Sequence, residues 1–115
     1  RNFKISHSEL PSFEKHSIFV INNPYKVWYL VNQNDKSIGA FYIKSDNSIG
    51  LNLLLHTEIV IKSIINFIKM NYSPEKEVPS KIPPYFYINV PTNNYKLKEI
   101  FDKTNINQIQ VSYKI

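Results

Sequence analysis

The clearest periodic pattern along the chain has the spacing of an α-helix. Isoleucines recur at the i, i+3, i+4, i+7 spacing of one helix face, while Lys62 and Lys69 stand on the other side. The repeating apolar positions are Ile61, Ile64, Ile65 and Ile68. The pattern predicts an amphipathic helix over residues 59–71. Thr57 is its expected N-cap, because a threonine hydroxyl accepts a hydrogen bond from an amide of the first helical turn.

Two other segments have a less regular helical pattern. Residues 8–21 start at a candidate N-cap, Ser8, and carry apolar side chains near helical spacing. Residues 93–104 place Leu97 and Ile100 on one side of a helix. Both segments are therefore predicted to be helices.

Between the first two helices the pattern changes to short apolar runs of strand length. Residues 27–31, 37–44 and 48–55 are rich in β-branched and aromatic side chains. Short polar segments, 32–36 and 45–47, separate them and have the composition of turns. Three strands joined by short turns predict an antiparallel meander.

The C-terminal half continues with alternating strands and helices. Residues 73–84 contain four prolines and mixed charge, and are expected to form an irregular connection. A fourth strand is predicted at 85–90 and a closing strand at 109–115. The resulting order, α-β-β-β-α-β-α-β, predicts one α/β (α+β) domain with a mixed, mostly antiparallel sheet and helices packed on it.

Composition excludes several classes of protein. The 115 residues suit one domain, and the absence of cysteine removes disulfide scaffolds and cysteine-ligated metal centres. The only glycines, Gly39 and Gly50, do not form the clustered loops of P-loop or dinucleotide-binding proteins. Nothing resembles an HExxH motif, so no metal site is expected. No apolar run is long enough to cross a membrane, and we expect a cytoplasmic protein without a membrane partner.

The formal net charge of +5 admits an anionic partner. The lysines are scattered, however, and an AT-rich coding bias explains them as well. Tyr85 and Tyr87 would share one face of the fourth strand and could stack on the bases of a single-stranded nucleic acid, although core packing is the default role for such residues. No RNP-type motif is present, so a nucleic-acid partner is not favoured.

The region around the fourth strand carries the most specific sequence pattern. Val90 and Asn94 are separated by three residues, a helix with apolar positions follows, and Lys103 and Asn105 close it. This pattern resembles the GNAT N-acetyltransferase superfamily, in which a strand ending in Val, then Asn, then a helix closing near Lys-x-Gly is common. The resemblance extends over residues 24–115. It implies a single GNAT-like domain over 1–115, with the family's usual first strand and first helix either absent or upstream of Arg1.

The resemblance implies transfer of an acetyl group from acetyl-CoA to a small amine, such as an amino sugar. In the family, the pantetheine arm of the cofactor bonds to a strand edge and its pyrophosphate lies on the following helix N-terminus. Asn94 begins the next helix. The residues assigned to the cofactor on this basis are Leu53, Leu54, Leu55, Ile59, Val60, Ile61, Lys62 and Asn94. His56 and Glu58 are the candidate catalytic bases; their plain structural roles would be a solvated turn residue and a first-turn acid.

Two positions differ from the family pattern. Residues 56–62 contain no glycine where the family has a glycine-rich pyrophosphate loop, and Phe101 stands where a tyrosine often protonates the leaving thiolate. A second hypothesis is therefore a non-catalytic GNAT-fold interaction or regulatory module. A homodimer is compatible with either hypothesis.

Overall fold

The secondary structure is that of an α+β domain, seen in a computed structural model that describes residues 3–7 and 25–115. The predicted helix at 8–21 lies outside the described residues. In chain order the elements are β1 (Phe3–His7), β2 (Tyr25–Gln33), β3 (Lys36–Lys44), β4 (Ser48–Leu53), α1 (Glu58–Asn71), β5 (Tyr87–Ile88) and α2 (Tyr95–Lys103).

The strands form one mixed sheet in the order β1-β2-β3-β4-β5. Strands β1 to β4 pair antiparallel with their neighbours, whereas β5 runs parallel to β4. The turn between β2 and β3 places Asn34 and Asp35 at φ of 53° and 66°. Asparagine and aspartate tolerate this left-handed conformation better than other residues with side chains, which explains the tight connection there.

One face of the sheet carries the hydrophobic core. Alternate residues of β2, β3 and β4 point to this face, where they meet the buried sides of α1 and α2. Phe41, Ile43 and Ile64 are fully buried at its centre. The members of this core are Tyr29, Val31, Phe41, Ile43, Ile49, Leu53, Val60, Ile61, Ile64, Ile68, Leu97 and Ile100.

The predicted N-caps of both helices are confirmed. The Thr57 hydroxyl accepts a hydrogen bond from the Val60 amide, and the Asn94 side chain accepts one from the Leu97 amide. A cap of this kind satisfies an amide that has no acceptor within the helix. The two helices therefore begin within two residues of their predicted starts.

The sheet differs from the prediction at three places. The structure adds β1, which the apolar pattern did not predict, and shortens the fourth strand from 85–90 to Tyr87–Ile88. The prediction of a closing strand at 109–115 is wrong, since these residues are exposed and outside the sheet. Alternating apolar residues favour an extended chain, but a strand also needs a partner for its backbone hydrogen bonds.

Neither helix in the described part of the chain is both long and apolar enough to span a bilayer. The longer of the two, α1, has 14 residues, fewer than the roughly 20 that a hydrocarbon core requires.

Candidate functional site

The sheet forks between β4 and β5. These parallel strands pair at only two positions, Ser48 with Tyr87 and Ile49 with Ile88. Beyond them β4 continues to Leu53, whereas the chain after β5 leaves the ladder and turns into α2. Pro91 lies in this departing segment and, having no N–H group, cannot donate to a ladder. We call the gap between the diverging strands the fork.

The backbone of β4 offers a hydrogen-bonding edge to the fork. The Leu54 amide donates to the Ile38 carbonyl at 2.9 Å. Residues of an antiparallel strand alternate in the direction of their backbone groups, so Asn52 also pairs with β3. Leu51 and Leu53 must then direct their N–H and C=O groups away from β3 and into the fork.

A groove of about 270 Å³ occupies the fork. Its walls come from β3, β4, the segment after β5 and the start of α2, and they mix apolar and polar groups. The polar side chains on the walls belong to Tyr42, Lys44, Ser48, His56, Asn89 and Asn94. A mixed lining of this kind is typical of small-molecule sites, in which apolar contact gives affinity and a few polar groups give orientation.

Tyr42 is positioned by a close contact with Gly50. The two residues face each other across β3 and β4, and a Cβ atom at position 50 would overlap the tyrosine ring. The Trp28 ring lies on the other strand beside it, with 5.7 Å between centroids. The bare backbone of Gly50 therefore lets Tyr42 lie across β4 at the groove wall. The sequence analysis missed Tyr42, although a glycine opposite an aromatic residue in a predicted hairpin indicates such an approach.

The two predicted catalytic residues lie in different surroundings. His56 is half-buried and lines the groove just before α1. The Glu58 carboxylate is in the first turn of α1, where it forms an exposed ion pair with Lys62 at 3.1 Å. His56 therefore has access to a ligand in the fork, while Glu58 faces a cation of its own helix.

The predicted cofactor residues divide by burial. Leu53, Val60 and Ile61 have their side chains in the core, so only their backbone groups can meet a ligand. Leu54, Leu55 and Ile59 are instead 83%, 59% and 65% exposed. Asn94 lines the groove, with its side-chain oxygen held by the Leu97 amide at 3.1 Å. The structure thus brings His56 and Asn94 together at one groove and leaves the exposed apolar residues outside its walls.

The start of α1 has few amides available to an anion. The Val60 amide is bound by the Thr57 hydroxyl at 3.3 Å, and the Ile61 amide by the Thr57 carbonyl at 3.0 Å. The N–H groups of Glu58 and Ile59 are those without an acceptor inside the helix. A ligand approaching them would also meet the Glu58 carboxylate.

Three polar groups lie together where the fork closes. Asp46 accepts hydrogen bonds from the Ser48 amide at 3.0 Å and the Ser48 hydroxyl at 2.6 Å. Burial acts to raise the pKa of Asp46, but these two bonds, together with the Lys44 charge, lower it further, and the pKa lies below its usual value. Burial raises the pKa of the nearby Tyr87 phenol, and the Asp46 charge adds to this effect. A carboxylate beside Tyr87 is unfavourable for a phosphate, which counts against base stacking at this position.

Asn47 holds the closed end of the fork together. It is fully buried, with φ of 74°. Its side-chain amide donates to the Pro83 carbonyl at 2.7 Å and the Glu75 carbonyl at 3.1 Å, and its oxygen accepts from the Glu75 amide at 2.6 Å. Its own carbonyl accepts from the Tyr87 amide at 3.2 Å. These bonds fix the loop that delivers β5 to β4, and the sequence analysis treated Asn47 only as a turn residue.

No protein-family model, curated protein or solved structure matches this chain. Within the described ranges, 3–7 and 25–115, no three His, Asp or Glu side chains are grouped so as to hold a metal ion. The features that bear on function are therefore the fork, its backbone edge and the groove residues.

Proposed function

We propose that this chain is an acyl-CoA-dependent N-acetyltransferase-like domain of the GNAT type, which transfers an acetyl group to a small amine. The observation that carries the proposal is the fork, where two parallel strands diverge and β4 turns backbone groups toward a groove. The GNAT resemblance of residues 24–115 calls for an opening of this kind at this place in the chain.

The backbone edge suits the arm of an acyl-CoA. A pantetheine arm is an extended chain with two amide groups, so it can hydrogen-bond to a strand edge much as an added strand does. Leu51 and Leu53 supply donors and acceptors at strand spacing. Bound in this way, the arm would lie along β4 with its thioester inside the groove.

The reaction needs a nucleophile, a base and a proton for the leaving group. The amine nitrogen bonds to the thioester carbonyl carbon, the carbon–sulfur bond breaks, and the sulfur leaves as a thiolate that takes up a proton. His56 on the groove wall is the proposed acceptor of the amine proton. Phe101 cannot protonate the thiolate. Of the two hydroxyl groups on the groove wall, Ser48 donates to Asp46, so Tyr42 is the proposed proton donor.

Backbone amide signals test the binding step directly. Titration of ¹⁵N-labelled protein with acetyl-CoA should shift the amide signals of Leu51 and Leu53 much more than those of Gly50 and Asn52, whose amides pair with β3. The melting temperature should rise in parallel, because a ligand that binds only the folded state stabilises it. Unchanged amide signals and an unchanged melting temperature at millimolar acetyl-CoA would exclude the proposal.

A second candidate is a non-catalytic module with the same fold. Glu58 and the β-branched residues Ile59 and Val60 at the start of α1 favour it, since they replace the small residues that let backbone approach a phosphate. Release of free thiol from acetyl-CoA, measured over a panel of amines and amino sugars, separates the two. Turnover that is lost in His56→Ala supports the enzyme, while binding without turnover supports the module.

A further inference from the structure

The mouth of the fork has an exposed apolar surface. Leu54, Leu55 and Ile59, which we call the apolar tip, are 83%, 59% and 65% exposed where the chain passes from β4 to α1. The apolar tip lies outside the groove walls, but His56, which follows Leu55 directly in the chain, lines the groove. Large apolar side chains grouped at the surface commonly mark a binding surface.

The same region is unsuited to the anionic end of coenzyme A. That end carries a diphosphate and a further phosphate, which need close backbone approach and positive charge. Here Thr57 occupies the Val60 and Ile61 amides, and Glu58 places a carboxylate on the first turn. Lys62, the basic residue one turn further along the helix, is already paired with Glu58.

The part of the ligand that would reach the apolar tip contains an apolar group. On the side away from its thiol, a pantetheine arm has a carbon with two methyl groups, set between a hydroxyl-bearing carbon and the terminal hydroxymethyl group that carries the phosphate in coenzyme A. With the two amides of the arm on the β4 edge and the thioester in the groove, this carbon would come out at the mouth of the fork. Leu54 and Leu55 would meet it there, and the phosphate beyond it would meet Glu58 or solvent.

We infer that the site recognises the pantetheine arm of its acyl donor and does not use the diphosphate of coenzyme A. This inference rests on the proposed function and narrows it to a class of donor, a pantetheine thioester. Such an arm comes from two sources, a free pantetheine thioester or the prosthetic group of an acyl carrier protein.

Calorimetric titrations with S-acetylpantetheine and acetyl-CoA test the inference. We expect the two dissociation constants to agree within about threefold. A rise from 50 to 500 mM salt should change S-acetylpantetheine binding by less than about twofold and should not weaken acetyl-CoA binding, since no ion pair is formed. Glu58→Gln should leave S-acetylpantetheine binding unchanged and should strengthen acetyl-CoA binding. Glu99→Gln is the matched control, because Glu99 has the same i,i+4 pairing with Lys103 on α2. Leu55→Gln should weaken both ligands equally.

The outcomes separate this inference from the proposed function. Acetyl-CoA binding more than about tenfold tighter than S-acetylpantetheine, with strong salt dependence, would overturn the inference and leave the function standing. If neither compound binds, the function fails as well.

An acyl carrier protein tells the two sources apart. Tighter binding of the acetylated carrier than of S-acetylpantetheine, with no binding of the carrier that lacks its arm, would support the inference and assign the carrier as the source. Equal binding of the two would support it and assign the free thioester. If the carrier without its arm bound as tightly as the acetylated one, the arm would not be what is recognised, and the inference would be wrong.

Discussion

The two ends of β4 share the same antiparallel neighbour but differ on their other side. At its start, Ser48 and Ile49 have a partner in β5, and the preceding Asn47 is fully buried and bonded to two loop positions. At its end, Leu51 and Leu53 direct backbone groups into the fork, Leu51 lines the groove, and the next residues are exposed leucines. One strand is therefore interior at one end and an edge at the other.

The difference shows how one strand can combine a firmly bonded end with an end whose backbone groups face a groove. The closed end concentrates its polar bonds at Asn47 and Asp46, where buried or partly buried groups are satisfied. At the open end, the backbone groups of Leu51 and Leu53 that point away from β3 have no partner in β5, so the ladder hydrogen bonds to β5 are missing there. The stabilising bonds and the unpaired backbone edge thus lie at opposite ends of β4.

The largest effect should come from breaking the closed end. Asn47→Gly removes three partly buried side-chain hydrogen bonds, and at about 1 kcal/mol each we expect a loss of about 3 kcal/mol in the free energy of unfolding. Urea denaturation measures it. Asn34→Gly is the control, because Asn34 has a similar positive φ but is exposed. An equal loss in both variants would show that Asn47 acts only through its backbone conformation.

An intermediate effect on stability is expected at Gly50, the first residue of β4 beyond its pairing with β5. Gly50→Ala places a methyl group into the Tyr42 ring and should lower the free energy of unfolding by about 2 kcal/mol. It should also shift the Tyr42 and Trp28 ring signals in NMR spectra. Adding Tyr42→Ala should recover part of the stability. A double variant less stable than either single variant would rule out overlap as the cause.

A smaller, pH-dependent effect is expected where the loop after α1 meets the sheet. The Tyr29 and Tyr72 hydroxyls form a hydrogen bond, and burial, with that bond, raises the pKa of Tyr29 to about 12. A folded-state pKa above the unfolded value of 10.0 means that stability is fully present below pH 10 and is lost as the pH rises toward 12. Chemical denaturation between pH 9 and 12 should show this loss, and Tyr29→Phe should reduce it. The same slope in the variant would assign the loss to other groups.

The smallest effect is expected at the open end. Replacing Leu54 and Leu55 together by serine should change the free energy of unfolding by less than about 0.5 kcal/mol, because both side chains are exposed. Leu53→Ser, one residue away and buried at 9% exposure, should cost about 3 kcal/mol. Thermal and urea unfolding compare the two. A large loss in the double variant would mean that the apolar tip is covered by another part of the protein.

The sequence pattern predicted the helices and turns, whose formation depends on residues close together in the chain. Period and capping residues placed α1 and α2, and alternation with polar turns placed the meander. The same rules failed at 109–115, because a strand exists only where a second strand accepts its hydrogen bonds. They also overestimated β5, whose length is set by where the chain departs toward α2.

The candidate site was predictable to a similar extent. His56 and Asn94 were proposed as site residues from the GNAT resemblance, and both line the groove. Tyr42 was missed because its placement depends on the register of β3 against β4. Asn47 was missed because its partners, Glu75 and Pro83, lie 28 and 36 residues away in the chain. Contacts between residues so far apart in the chain cannot be predicted from the pattern of neighbouring residues.

The unpaired edge of β4 has a consequence for how the protein behaves in concentrated solution. Exposed strand edges accept any extended chain, including the same edge of another molecule, and are a common start of aggregation. Here the unpaired edge is short: it ends with β4 at Leu53, and α1 begins at Glu58. A compound that fills the groove would occupy this edge, so it should act as a solubilising agent during purification as well as a ligand.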